Sequence, residues 1–153
     1  MEMFDILRAV CRTHSPVRGR CYAVEFEDGA VKIGSTQNAT MRFRQLQDKY
    51  RGRRSEIIRI YIGEETDDVR YAESMAHYGL RPSEKREIFP ITFGEAVRRI
   101  RRAVPDKEPL VINGREEVLR EFPDLEEPEQ RLRRCFYAIR DGLIALAQKE
   151  EAQ

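Results

Sequence analysis

Residue types that can together handle a phosphodiester lie close to one another between residues 21 and 46. Tyr22 stands in a strand-like stretch, Lys32 lies in the stretch that returns after a turn, and Arg42 follows in a helix-like segment. A tyrosine, a basic group and an arginine can between them bind and activate a phosphate ester. A carboxylate to hold a metal must come from later in the chain, and Glu73 is the candidate.

The elements that must position these residues alternate between strand and helix patterns. Residues 20–33 predict a β-hairpin with its turn at Asp28-Gly29. Residues 56–63 alternate β-branched and polar side chains, which predicts a third strand, and residues 87–91 predict a short extended segment. We expect the hairpin, strand 56–62 and the segment near 87–91 to form one sheet.

Helical periodicity and capping residues predict the remaining elements. Apolar spacing, and the capping box in which Glu95 follows Thr92, predict helices at residues 3–13, 39–50, 69–79, 92–102, 115–122 and 129–149. The fold class expected is α/β (α+β): a small, mostly antiparallel sheet of three to four strands flanked by helices, with a C-terminal helical extension.

The composition indicates a charge-rich globular protein. The chain has 153 residues, of which 41% are hydrophobic and 36% charged. No apolar run approaches the roughly 20 residues of a membrane helix, and the N-terminal residues lack the features of a signal peptide, so we expect a cytoplasmic protein without a membrane partner. Its three cysteines are widely spaced and are interpreted as reduced core residues.

Charge divides the chain into two parts. Residues 1–104 carry 20 Lys and Arg against 15 Asp and Glu, whereas residues 105–153 carry 8 against 12. We therefore expect a basic domain over residues 1–104 and an acidic helical extension over residues 105–153, with DNA as partner of the first. The residues expected to bind nucleic acid are Arg44, Arg51, Arg53, Arg54, Arg98, Arg99, Arg101 and Arg102. The alternative is that these charges form solvated helix faces.

Five short motifs, in order, resemble those of the GIY-YIG endonuclease superfamily, in the phage- and plasmid-type branch whose second motif commonly reads KIG. They are Gly19-Arg20-Cys21-Tyr22, Val31-Lys32-Ile33-Gly34, Arg42-Phe43-Arg44-Gln45-Leu46, Glu73-Ser74-Met75-Ala76-His77 and Glu87-Ile88-Phe89. The resemblance covers residues 19–102. Tyr61-Ile62-Gly63 spells the second motif literally, but it is too far from Tyr22 and on another strand, so we interpret it as coincidence.

The resemblance implies a metal-dependent DNA endonuclease. In it, Tyr22 would assist the attacking water, and Glu73 would be the sole protein ligand of one Mg²⁺ or Mn²⁺ ion. Arg42 would stabilise charge on the phosphate, with Arg44 as the fallback. His77, one helical turn after Glu73, would bind phosphate or shuttle a proton.

The sequence departs from the superfamily at Lys32, where a second tyrosine is expected. An active enzyme could use Tyr22 as the base, or a Lys32 of depressed pKa. The alternative function is a catalytically inactive, nuclease-derived regulator that binds nucleic acid or a protein and keeps Lys32 as a phosphate contact.

The last predicted helix carries an apolar stripe. Its members are Leu132, Cys135, Phe136, Ile139, Leu143, Ile144, Leu146 and Ala147. The stripe either packs on its own domain or forms a homodimer or protein-partner surface.

Overall fold

The computed structural model describes residues 15–51, 55–81 and 88–151. Its strands are β1 (Gly19–Phe26), β2 (Val31–Thr36), β3 (Ile57–Thr66) and β4 (Leu110–Asn113). They form one sheet in the order β2-β1-β3-β4, and each neighbouring pair is antiparallel. The helices are α1 (Ala39–Arg51), α2 (Val69–His77), α3 (Phe93–Ala103), α4 (Arg115–Glu121) and α5 (Pro128–Glu151), and a 3₁₀ turn covers Pro123–Leu125. The predicted small α+β fold with a C-terminal helix is confirmed.

The sheet separates two hydrophobic cores because successive strand residues point to opposite faces. On one face of β1, Cys21 and Ala23 belong to a core shared with α2 and α3, which we call the first core. On the other face, Tyr22, Val24 and Phe26 belong to a core shared with α1 and α4, the second core. Residues from the same strand thus reach two separate layers of helices.

The fourth strand is not the one that the sequence predicted. Within the predicted segment 87–91, Phe89 forms a single antiparallel bridge with Val31, and residue 87 lies outside the described residues. Pro90 follows at once, and a proline has no amide hydrogen to extend a ladder. The fourth sheet strand is instead β4, which pairs with β3.

The segment after the predicted linker joins the same sheet. Ile112, Val118 and Leu125 are all buried in the second core. The division of the chain near residue 104 stays a prediction. The predicted helix 3–13 lies outside the described residues.

Helix α3 shows the predicted capping box, since the Thr92 hydroxyl accepts from the Glu95 amide at 3.2 Å. In the described ranges, none of the helices combines the length and apolarity of a membrane span.

Candidate active site

Tyr22 and Arg42 form a buried pair over Gly34. In the β1–β2 register Tyr22 lies directly opposite Gly34, so its ring crosses the position where a side chain would stand. A Cβ built on Gly34 would lie 2.6 Å from Tyr22 Cζ, and only glycine leaves room for the ring. The Arg42 Nε donates to the Tyr22 hydroxyl at 3.0 Å, and the Phe43 ring packs edge-on against Tyr22 at 5.3 Å. The glycine of the KIG motif thus exists to admit the tyrosine that holds Arg42.

Glu73 and His77 form a second group, beside the edge strand β2. The Ser35 hydroxyl donates to Glu73 Oε2, and His77 Nε2 lies 3.9 Å from Glu73 Oε1. The two side chains are 30% and 32% exposed, so solvent and substrate can reach them. This is the open part of the site.

The tautomer of His77 follows from its backbone contact. Its Nε2 lies 3.1 Å from the carbonyl oxygen of Ile33. A carbonyl oxygen only accepts, so Nε2 carries a hydrogen in this contact, and Nδ1 of a neutral ring is left as an acceptor. The Phe89 ring packs on His77 with a centroid distance of 4.8 Å, which supports the imidazole from the side.

Helix α2 presents both residues because it begins at a fixed point. The Asp68 side chain accepts from the Tyr71 amide at 3.3 Å and caps the helix. Glu73 and His77 are four residues apart and therefore share one helix face. That face lies against β2, as the Ser35 and Ile33 contacts show.

The two groups meet at the dipeptide Gly34-Ser35. Neighbouring Cα atoms are about 3.8 Å apart, and neighbouring side chains of a strand point to opposite faces. Gly34 therefore faces Tyr22 and Arg42 on the second-core side, while Ser35 contacts Glu73 on the first-core side. The end of edge strand β2 joins the arginine group to the carboxylate and imidazole group.

Lys32 shares the face of Tyr22, since its register partner on β1 is Val24. It is only 5% exposed. Tyr22 is 0% exposed, so both positions at which the sequence predicted a base are buried. Their assignment as the group that activates water stays a prediction.

Two neighbours of Glu73 were not predicted from sequence as site residues. Ser35 directly follows the KIG glycine, a position that could have indicated it. Cys21 lies in the first core, and burial together with the nearby charge of Glu73 raises its pKa to about 12. A thiol with so high a pKa is not a nucleophile at neutral pH, so Cys21 belongs to the wall of the site.

Glu73 has the properties expected of a single-carboxylate metal ligand. Across residues 15–51, 55–81 and 88–151, no three His, Cys, Asp or Glu side chains are grouped so as to hold a metal ion. Mg²⁺ keeps most of its waters and needs only one or two carboxylates, and the Glu73 carboxylate is accessible. The chemistry of this donor fits a weakly held Mg²⁺ or Mn²⁺, with Glu73 as its ligand.

Several arginines predicted to bind nucleic acid are paired within the chain. Arg98 and Arg99 both contact Glu95 at 2.9 Å, and their hydrogen bonds lower the pKa of that carboxyl. Arg101 donates to Asp106 at 2.6 Å, and Asp106 also accepts from the Tyr61 hydroxyl. The others are Arg44 and Arg102, which are exposed, Arg51, whose backbone ends α1, and Arg53 and Arg54, which lie outside the described residues.

The fold and the site are those of a nuclease-like domain. The family model of the T5orf172 domain matches residues 19–104, which is more than half of the chain. The chain belongs to the T5orf172 domain family, a nuclease-like family. The match spans β1 to the end of α3 and so contains both groups of the site. No curated protein and no solved structure matches the chain.

Proposed function

We propose that this protein is a metal-dependent DNA endonuclease of GIY-YIG type, with Lys32-Ile33-Gly34 as its second motif. The observation that carries the proposal is the junction at Gly34-Ser35, where a tyrosine-held arginine meets an accessible carboxylate and imidazole. A cationic fork, a carboxylate and a proton acceptor are the parts that phosphodiester hydrolysis needs.

Arg42 is the group proposed to stabilise charge on the phosphate. Its Nε is engaged by Tyr22, so the guanidinium is held in one orientation while its remaining N–H groups can serve a phosphate oxygen. Because Tyr22 is buried, we assign it to positioning Arg42. Arg44, the fallback for this role, is exposed on the same helix two residues on, and faces elsewhere.

His77 is the proposed proton acceptor. With Nε2–H directed at the Ile33 carbonyl, its Nδ1 can take a proton from an attacking water. Glu73 is the proposed ligand of Mg²⁺ or Mn²⁺, and a bound ion would neutralise charge on the scissile phosphate. Ser35 fixes the Glu73 carboxylate by donating to one of its oxygens, which leaves the other for the ion.

A second function is supported by the burial of two side chains. Tyr22 and Lys32 are both inside the protein, so neither position offers an exposed base. A nuclease-derived domain that has lost catalysis would keep the fold and the basic surface, and would act by binding nucleic acid or a protein. Lys32 would then serve the interior or a phosphate. In either function DNA is the proposed partner, and α5 is a surface for a homodimer or a protein partner.

The test is nicking of supercoiled plasmid DNA in Mg²⁺ or Mn²⁺, with and without EDTA. We expect cleavage that EDTA abolishes and that Glu73→Gln and Arg42→Lys reduce at least about a hundredfold. Glu116→Gln is the matched control, since Glu116 is exposed on α4 outside the site.

Two outcomes would decide against the endonuclease. Cleavage that persists in Glu73→Gln excludes the proposed metal ligand. Binding of DNA by the wild type without cleavage in either metal ion establishes the regulator instead.

A further inference from the structure

The C-terminal helix α5 exposes a continuous apolar seam. Its 24 residues make it the longest helix in the described part of the chain. The exposed residues Leu132, Phe136, Ile139, Leu143 and Leu146 follow one another at alternating spacings of four and three, and each is at least 60% exposed. This is the a/d heptad repeat of a coiled coil.

The seam does not belong to either core of the domain. None of its five residues is a member of the first or the second core. The helix is tied to the domain at its beginning, where Arg131 contacts Asp124 at 3.4 Å. A row of five large apolar side chains in water is costly, and an equivalent seam is the simplest surface to cover it.

We infer that α5 pairs with α5 of a second copy as an antiparallel coiled coil. This inference rests on the partner surface named in the proposed function, and it commits that surface to one occupant. A homodimer of this kind is isologous, so the same seam serves both copies about a two-fold axis.

Charge favours the antiparallel direction. The first half of α5, residues 128–140, carries four arginines and one glutamate, while residues 141–151 carry three acidic residues and one lysine. An antiparallel pair places each basic half beside the acidic half of its partner. A parallel pair would instead place the seam residue Glu150 against its own copy, and Glu129 likewise, and like charges in that position repel.

The length of the helix selects one register. Antiparallel seams pack a against d, which places Ile139 opposite Leu143, Phe136 opposite Leu146, and Leu132 opposite Glu150 of the other copy. The paired segment is then residues 131–151, about 31 Å long at 1.5 Å per residue. A shift by one heptad toward the domain would drive residue 151 onto residue 124, in the 3₁₀ turn of the partner's domain. The two domains therefore lie at opposite ends of the pair, each with its own site.

The first experiment measures the mass of the full chain in solution by sedimentation equilibrium. We expect a dimer, and we expect Leu143→Glu to raise its dissociation constant at least about a hundredfold, because each dimer loses two buried leucines. Ile144→Glu is the matched control: the same chemistry one residue on, about 100° around the helix and away from the seam. A monomeric wild type at 100 µM (a concentration of about that order is ample for an obligate interface), or equal effects of both variants, overturns the seam.

The second experiment fixes direction and register by disulfide trapping in a Cys135→Ser background. We expect the pair Leu132→Cys with Glu150→Cys to form covalent dimers under mild oxidation, and Glu150→Cys alone to form none. Trapping by Glu150→Cys alone would show a parallel pair and refute the inference. Neither measurement depends on cleavage, so a failed dimer and a failed nuclease are told apart, and circular dichroism of each variant verifies that the domain is folded.

Discussion

Replacing Gly34 by alanine tests the construction of the site most directly. The added methyl would lie 2.6 Å from Tyr22 Cζ and 3.1 Å from Cε1, well inside van der Waals contact. Tyr22 cannot swing aside, because it is 0% exposed and Phe43 packs against its ring. The methyl must therefore displace the ring or the strand, and overpacking of this kind costs about 2 kcal/mol.

The assay is thermal unfolding followed by circular dichroism. For a chain of this size, about 2–4 °C of Tm correspond to each kcal/mol, so we expect Gly34→Ala to lower Tm by about 4–8 °C. Gly94→Ala is the matched control, since a Cβ on Gly94 meets nothing within 4 Å and alanine is the better helix former in α3. We expect that variant to be unchanged or slightly more stable.

A double substitution separates the clash from other effects. Tyr22→Phe alone removes the acceptor of the Arg42 hydrogen bond and should cost about 1.5 kcal/mol. In the Gly34→Ala background it also removes the hydroxyl nearest to the new methyl, so its cost should shrink by at least about 0.5 kcal/mol. Additive effects of the two substitutions, or a Gly34→Ala protein with wild-type Tm, would refute the account of this glycine.

Three further outcomes are expected. Cys21, whose pKa is raised by burial, keeps its proton in the fold to about pH 12; stability should be full below pH 9 and decline as pH rises toward 12, and Cys21→Ala should decline less in urea unfolding over that range. Arg115 donates to the carbonyls of Ile57 and Leu125 at 3.0 and 2.8 Å, so Arg115→Lys should destabilise the protein by about 2 kcal/mol, and an unchanged urea midpoint would contradict this. Neutralising the basic run Arg51, Arg53 and Arg54 with glutamine should lower the log–log salt slope of duplex DNA binding by up to about 0.9 for each DNA phosphate that the variant no longer neutralises, and more than Arg98→Gln with Arg99→Gln does; no detectable binding at low salt would show the run to be a solvated surface.

Periodicity and turn chemistry were sufficient for the local elements. The Asp28-Gly29 turn gives the hairpin, in which Gly29 adopts a φ of +82° that glycine tolerates. Thr92 caps α3 through Glu95 as the capping box indicated. These signals depend on residues close in the sequence, which is why one sequence is enough to read them.

Pairing between distant segments could not be read in the same way. Residues 87–91 and 110–113 are both short apolar runs, and nothing local says which one reaches the free edge of β3. The choice is made in three dimensions: β4 enters the second core through Ile112, whereas Phe89 turns toward His77 after one bridge. The sequence likewise does not indicate that Ser35 bonds Glu73, because their separation of 38 residues is bridged only by packing.

Burial is the property that changes the chemical interpretation of the motif residues. A tyrosine and a lysine at the motif positions suggest two candidate bases, yet alternation along β1 and β2 places both on the second-core face of the sheet. The accessible titratable groups, Glu73 and His77, stand on the other face, one residue along from the glycine that seats Tyr22. The motif glycine therefore divides the work of the site: on one side it admits the ring that orients Arg42, and on the other the next residue fixes the carboxylate. A substrate phosphate that reaches both groups must lie across the end of β2, and the question of catalysis becomes whether His77, and not a tyrosine, accepts the proton.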